Sequence, residues 1–155
     1  MNGLLILLLL IGVSSIKSQT IQETEDFIKQ NCAIYTKGKG EVKFVEKSGR
    51  MFMAYLRSYD GITLGAVFPV DQLLDIVINE NELDCCIILE GKFRNDSEVK
   101  NLFPDNEGKL SMMDGGILHI TLTKECKSEN IPSRLKKALL QYAKLNGAEA
   151  KSTAF

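Results

Sequence analysis

His119 is the one histidine of the chain, so any mechanism that relays a proton between two imidazoles is excluded, and a nucleophile–base–acid triad has this residue alone to build on. It lies in the run Gly116-Ile117-Leu118-His119-Ile120-Thr121-Leu122-Thr123. Strand alternation puts Leu118, Ile120 and Leu122 on one face and His119, Thr121 and Thr123 on the other, so the imidazole is expected on a polar, solvated face. No G-x-S-x-G elbow, P-loop, H-E-x-x-H or dinucleotide-binding glycine pattern occurs. Glu80 and Glu82, with Asn79 and Asn81, offer oxygen ligands. They lack the D-x-D-x-D-G register and distal glutamate of a calcium loop, and they read as the polar tip of a hairpin. Asp60 and Asp114 fall in turns. The expectation is no catalytic residue, no metal and no cofactor: a protein that acts by binding.

Four cysteines, Cys32, Cys85, Cys86 and Cys126, carry the other reactive chemistry. Cys85 and Cys86 are neighbours in a predicted strand, so their side chains point to opposite faces and a bond between them would strain the backbone. The reading favours two bridges running from this pair to Cys32 and Cys126, with a single Cys32–Cys126 bridge as the alternative. Zinc would need a C-x-x-C spacing or more histidine. Bridges presuppose an oxidising compartment, and the first residues, MNGLLILLLLIGVSSIKSQT, supply one. Leu4–Val13 has the length of the apolar core of a secretory signal, is too short for a membrane anchor, and is followed by the small residues Ser15 and Ser18. No Lys or Arg precedes it. Residues 1–18 are expected to be a signal peptide cleaved between Ser15 and Thr20, leaving one secreted domain, 19–155, of about 137 residues. Asn95-Asp96-Ser97 is then a candidate glycosylation site.

Composition is globular, with 45% hydrophobic and 25% charged residues. There are 19 basic residues against 20 acidic, and loss of Lys17 with the leader brings the net charge to about −2. No basic surface for nucleic acid follows from that balance. Arg134, Lys136, Lys137 and Lys144 gather in the last helix and read as its solvated face.

The elements that must position these groups are legible as periodicity and punctuation. Thr20-x-x-Glu23 is a capping box opening a helix over 21–34. Strands are predicted at 41–46, 50–57, 62–68, 73–78, 83–93 and 117–123, divided by Lys47-Ser48-Gly49, Asp60-Gly61 and Asp114-Gly115-Gly116. Residues 96–107 read as a long loop around Pro104, with a short strand near 109–112. Asn130 as N-cap, Pro132 in the first turn and Gly147 past the end bound a final helix whose apolar stripe is Leu135, Ala138, Leu139, Tyr142 and Leu145. The fold class is α+β: a mostly antiparallel sheet, sandwich or barrel-like, of six to seven strands with an amphipathic helix at each end.

Leu74-x-Ile76-x-Ile78-Asn79-Glu80-Asn81-Glu82-Leu83 is a strand, acidic turn, strand unit, and Met113-Asp114-Gly115-Gly116-Ile117-Leu118-His119-Ile120-Thr121-Leu122 is a D-G hairpin. Together, over residues 74–124, they resemble the β-sandwich of small heat-shock proteins and CS-domain co-chaperones. That resemblance implies an immunoglobulin-like sandwich and an ATP-independent chaperone or docking role. A secreted chain of six or seven strands ending in a helix also resembles small lipocalin-type carriers, which implies a barrel around an apolar ligand. A third reading is an effector-like module that binds an extracellular protein through a sheet edge or loop. All three make the partner an extracellular protein or a small apolar ligand.

Overall fold

The structure, a computed structural model, describes residues 20–81 and 86–150. The predicted signal peptide and its cleavage region, the segment 82–85 that contains Glu82 and Cys85, and the tail 151–155 lie outside the described residues. The domain is α+β: helix α1 (20–35), eight antiparallel strands in two sheets, and helix α2 (Ile131–Leu145).

The first sheet begins with a meander. β1 (Lys39–Lys47) and β2 (Arg50–Tyr59) are joined by Ser48 and Gly49, and β2 and β3 (Ile62–Pro69) by Asp60 and Gly61. All four turn residues have positive φ, which is the two-residue turn whose twist matches the flanking strands. After Pro69 a single 3-10 turn, Val70–Gln72, sends the chain into a second sheet as β4 (Leu73–Asn81), paired with β5 (Cys86–Phe93). The chain then returns. β6 (Lys100–Pro104) pairs with β3, and β7 (Leu110–Asp114) pairs with β6. It crosses once more through Gly115-Gly116 to β8 (His119–Leu122), beside β5. The orders are β1-β2-β3-β6-β7 and β4-β5-β8.

Both sheets and both helices share one core, with Met53, Tyr55, Phe68, Leu73, Ile76, Leu89, Ile120 and Leu122 from the strands and Ile28, Leu135 and Leu139 from the helices. Burying each such aliphatic or aromatic side chain contributes about 1.5–3 kcal/mol. α2 buries Leu135, Leu139 and Tyr142 of the expected stripe, half-buries Ala138 and Leu145, and widens the buried face with Leu140 and Ala143. It ends in a Schellman motif: Gly147 has φ +91°, the Ala148 N–H donates to the Ala143 carbonyl at 2.9 Å and the Gly147 N–H to that of Lys144 at 3.1 Å. Tyr142 ties α2 to α1 by donating its hydroxyl hydrogen to Glu25 Oε1 at 2.6 Å.

Several expectations are corrected. There are eight strands, not six or seven, because Lys100–Pro104, read as loop, is a strand. Pro104 sits at its last position and Leu102 buries against the sheet, so the proline costs no interior ladder bond. The sheets do not close into a barrel: β1 and β7 end the larger sheet and pair with no further strand among the described residues. Asn130 precedes α2 in the left-handed conformation, φ 54°, and makes no side-chain cap; its carbonyl accepts the first helical bond, from the Arg134 N–H. The disulfides are absent among the described residues, where Cys32, Cys86 and Cys126 are buried free thiols. For Cys86 the reason is alternation along β5, and any bridge through Cys85 lies outside the described residues. Ile87 and Leu89 enter the core that contains Cys32 and Cys126, and this directs Cys86 to the opposite face of the strand.

Candidate functional site

The inner face of the β2–β3 hairpin is a ladder of cross-strand pairs. Met53 lies opposite Phe68 and Tyr55 opposite Ala66, all buried. Two steps further toward the turn the pairs become Arg57 with Leu64 and Tyr59 with Ile62, where the side chains leave the core, Tyr59 and Ile62 being each 53% exposed. Across from them the smaller sheet presents Cys86 and Ile88 of β5 and His119 and Thr121 of β8. Between the walls lies a cleft of about 410 Å³. A second hollow, about 240 Å³, adjoins it, lined on its far side by Asn101, Phe103 and Ile117; Arg57, Leu64 and His119 line both.

The rim of the cleft is completed by the segment leaving α1. Thr36 bridges Leu122, the Lys37 N–H donates to the Thr121 carbonyl at 2.8 Å, and the Thr123 N–H donates to the Tyr35 carbonyl at 2.8 Å. Tyr35, the last residue of the helix, and the two that follow it therefore run alongside β8. Gly40 lets this segment pass close to α1: a Cβ there would collide with the Cys32 carbonyl and the Thr36 hydroxyl. Lys37 is delivered to the cleft by this pairing, with its Nζ 5.9 Å from the centre of the Tyr59 ring.

Electrostatically the cleft is cationic on an apolar ground. Lys37 and Arg57 line it with His119, and no Asp or Glu does so among the described residues. His119 is 47% exposed, and its Nε2 lies 3.9 Å from Glu90 Oε2. That carboxylate is engaged elsewhere: Lys92 donates to it, and so does Asn79 at 3.2 Å. The Lys92 hydrogen bond is the main reason the Glu90 carboxyl titrates below its usual range, outweighing partial burial. No group of three or more His, Cys, Asp or Glu able to hold a metal occurs among the described residues.

The structure brings together two of the residues singled out from sequence. His119 and Cys86 share the cleft, with Cys86 only 5% exposed. Thr121, expected beside His119 on a solvated face, is 8% exposed, because the 36–37 segment covers it. Cys32 and Cys126 lie in the core; burial pushes the Cys32 thiol up to about 12 and raises that of Cys126. Glu80 pairs with Lys127 at 2.9 Å and Asp114 with Lys100 at 2.7 Å, so both serve the surface. Asn95 is exposed at the head of a 3-10 turn, where its Oδ1 accepts from the Ser97 N–H at 3.2 Å and the Ser97 hydroxyl at 2.7 Å. Sequence reading missed Lys37, Arg57, Tyr59 and Ile62. The available signal was the alternation Met53, Tyr55, Arg57, Tyr59, which sets a cation on an otherwise apolar face of β2.

No family model, curated protein or solved structure matches the chain. No helix among the described residues is long and apolar enough to cross a membrane.

Proposed function

We propose that the protein is a secreted, non-enzymatic binding protein that takes a small, largely apolar ligand into the cleft between its two sheets. The observation that carries this reading is the cleft itself. Its volume of about 410 Å³ lies in the ordinary range of small-molecule sites, and both walls contribute apolar side chains, Tyr59, Ile62 and Leu64 facing Ile88, around a few polar groups. Export is supported by the apolar run Leu4–Val13, and the exposed turn at Asn95 gives a transferred glycan an open place to sit.

The neutral dye Nile red tests the cleft. It should bind with one-to-one stoichiometry and a blue-shifted emission, and Ile62→Asp should weaken it at least tenfold. That substitution at a half-exposed position shifts stability by only about 0.5 kcal/mol. Folded protein that binds neither Nile red nor other apolar probes would refute the reading. Export is tested separately by producing the full chain in secreting cells and sequencing the N-terminus of the released protein: a start near Gln19 is expected, and retention of the uncleaved chain in the cytosol contradicts it.

A further inference from the structure

Resting on that reading of the cleft, we infer that its ligand is an amphipathic carboxylate, a fatty-acid-like monoanion whose headgroup is held by Arg57 and Lys37. The charge distribution selects the headgroup. Two basic side chains, Lys37 and Arg57, line the cleft, no carboxylate among the described residues does, and Arg57 forms no ion pair with a described carboxylate. A partly desolvated guanidinium without a counter-ion is unfavourable, and its planar fork of donors matches a carboxylate with two parallel hydrogen bonds. Lys37 adds a point charge from the rim, its position fixed by the backbone bond to Thr121. Glu90, beside His119, repels a second negative charge on that side, so a single carboxylate suits the site better than a dianion.

Geometry selects the body of the ligand. Arg57 lines both hollows and therefore stands at their junction, and from it apolar surface runs two ways: along Ile62 and Ile88 in the larger, and along Phe103 and Ile117 in the smaller. An alkyl chain anchored at Arg57 buries its methylenes on either path, each contributing about 0.8 kcal/mol. A purely polar anion would leave Ile62, Phe103 and Ile117, all more than a third exposed, uncovered.

The test is displacement of Nile red from the purified chain at neutral pH by decanoate, decanol and decylamine, three probes with one tail and different heads. Decanoate should displace the dye at a concentration at least tenfold below that of decanol, with decylamine weakest. Arg57→Met should abolish the preference, bringing decanoate to the level of decanol, Arg57→Lys should keep part of it, and Ile62→Asp should weaken all three. If Arg57→Met fails to melt cooperatively, Lys37→Met carries the same comparison with a smaller expected loss. Equal displacement by decanoate and decanol, with the dye still bound one to one, overturns the carboxylate assignment and leaves the cleft standing as an apolar site. No dye binding, together with no calorimetric heat from decanoate, overturns both.

Discussion

Cys32 shows how much a single residue's surroundings decide. Burial moves its thiol from an ordinary 9.0 to about 12, and Tyr55, buried nearby, goes from 10.0 to about 12, chiefly through desolvation. In both cases the folded state holds the proton more tightly than the unfolded chain. The associated stability is therefore complete below about pH 9 and is lost as pH rises toward 12. Urea midpoints should fall across that window, each group contributing at most about 1.4 kcal/mol per pH unit, and Cys32→Ala should remove the part that begins near pH 9. At neutral pH, iodoacetamide should leave Cys32 unlabelled until urea unfolds the protein; labelling in the native state would contradict the buried thiol. The half-exposed position of His119 was legible in the alternation of its strand. That Cys86 and the other thiols would be separated by the smaller sheet was not, because spacing along a chain carries no information about which face of β5 meets the core.

Among the elements, the start of β2 is held by a charge cluster. Arg50 donates Nε and Nη2 to Asp71 at 3.1 and 2.7 Å, and Nη2 also reaches Glu98 at 2.8 Å, joining the strand to the two 3-10 turns at which the chain leaves one sheet or re-enters it. The guanidinium is 36% exposed, so screening limits the gain. Arg50→Met leaves two carboxylates facing each other and should cost about 1–2 kcal/mol in a urea titration, with most of the loss rescued by adding Asp71→Asn. Gly40→Ala pushes a methyl group into the Cys32 carbonyl where the chain leaves α1, and should cost about 1–3 kcal/mol in the same measurement. Turn chemistry made the two hairpins readable, since Ser48-Gly49 and Asp60-Gly61 name their own conformation. β6 was unreadable for the converse reason. Lys100–Pro104 has a weak local signal, and its strand conformation is imposed by β3, more than thirty residues earlier in the chain.

At the scale of the whole molecule, the chain passes between sheets three times, so the cleft is assembled from segments that meet only once the domain has folded. This is why Arg57 and His119, sixty-two residues apart, gave no joint motif. The same topology leaves β7 on the rim with every residue exposed, Met112 at 68% and Met113 at 58%. An exposed edge carrying Leu110, Met112 and Met113 favours edge-to-edge pairing. The elution volume of the chain should shift toward larger species as concentration rises, and Met112→Lys should return it to the monomer position; an unchanged profile would argue against pairing through this edge. The pairing of Tyr35, Thr36 and Lys37 with β8 carries a consequence of another kind. The backbone that anchors Lys37 also attaches the end of α1 to the smaller sheet, so a ligand held by Lys37 would couple the cleft to docking of the first helix, each strengthening the other by the same factor. Saturating the cleft with decanoate should slow amide hydrogen exchange at Lys37 and at Thr123, which does not line the cleft, and a truncation that loosens α1 should weaken decanoate binding.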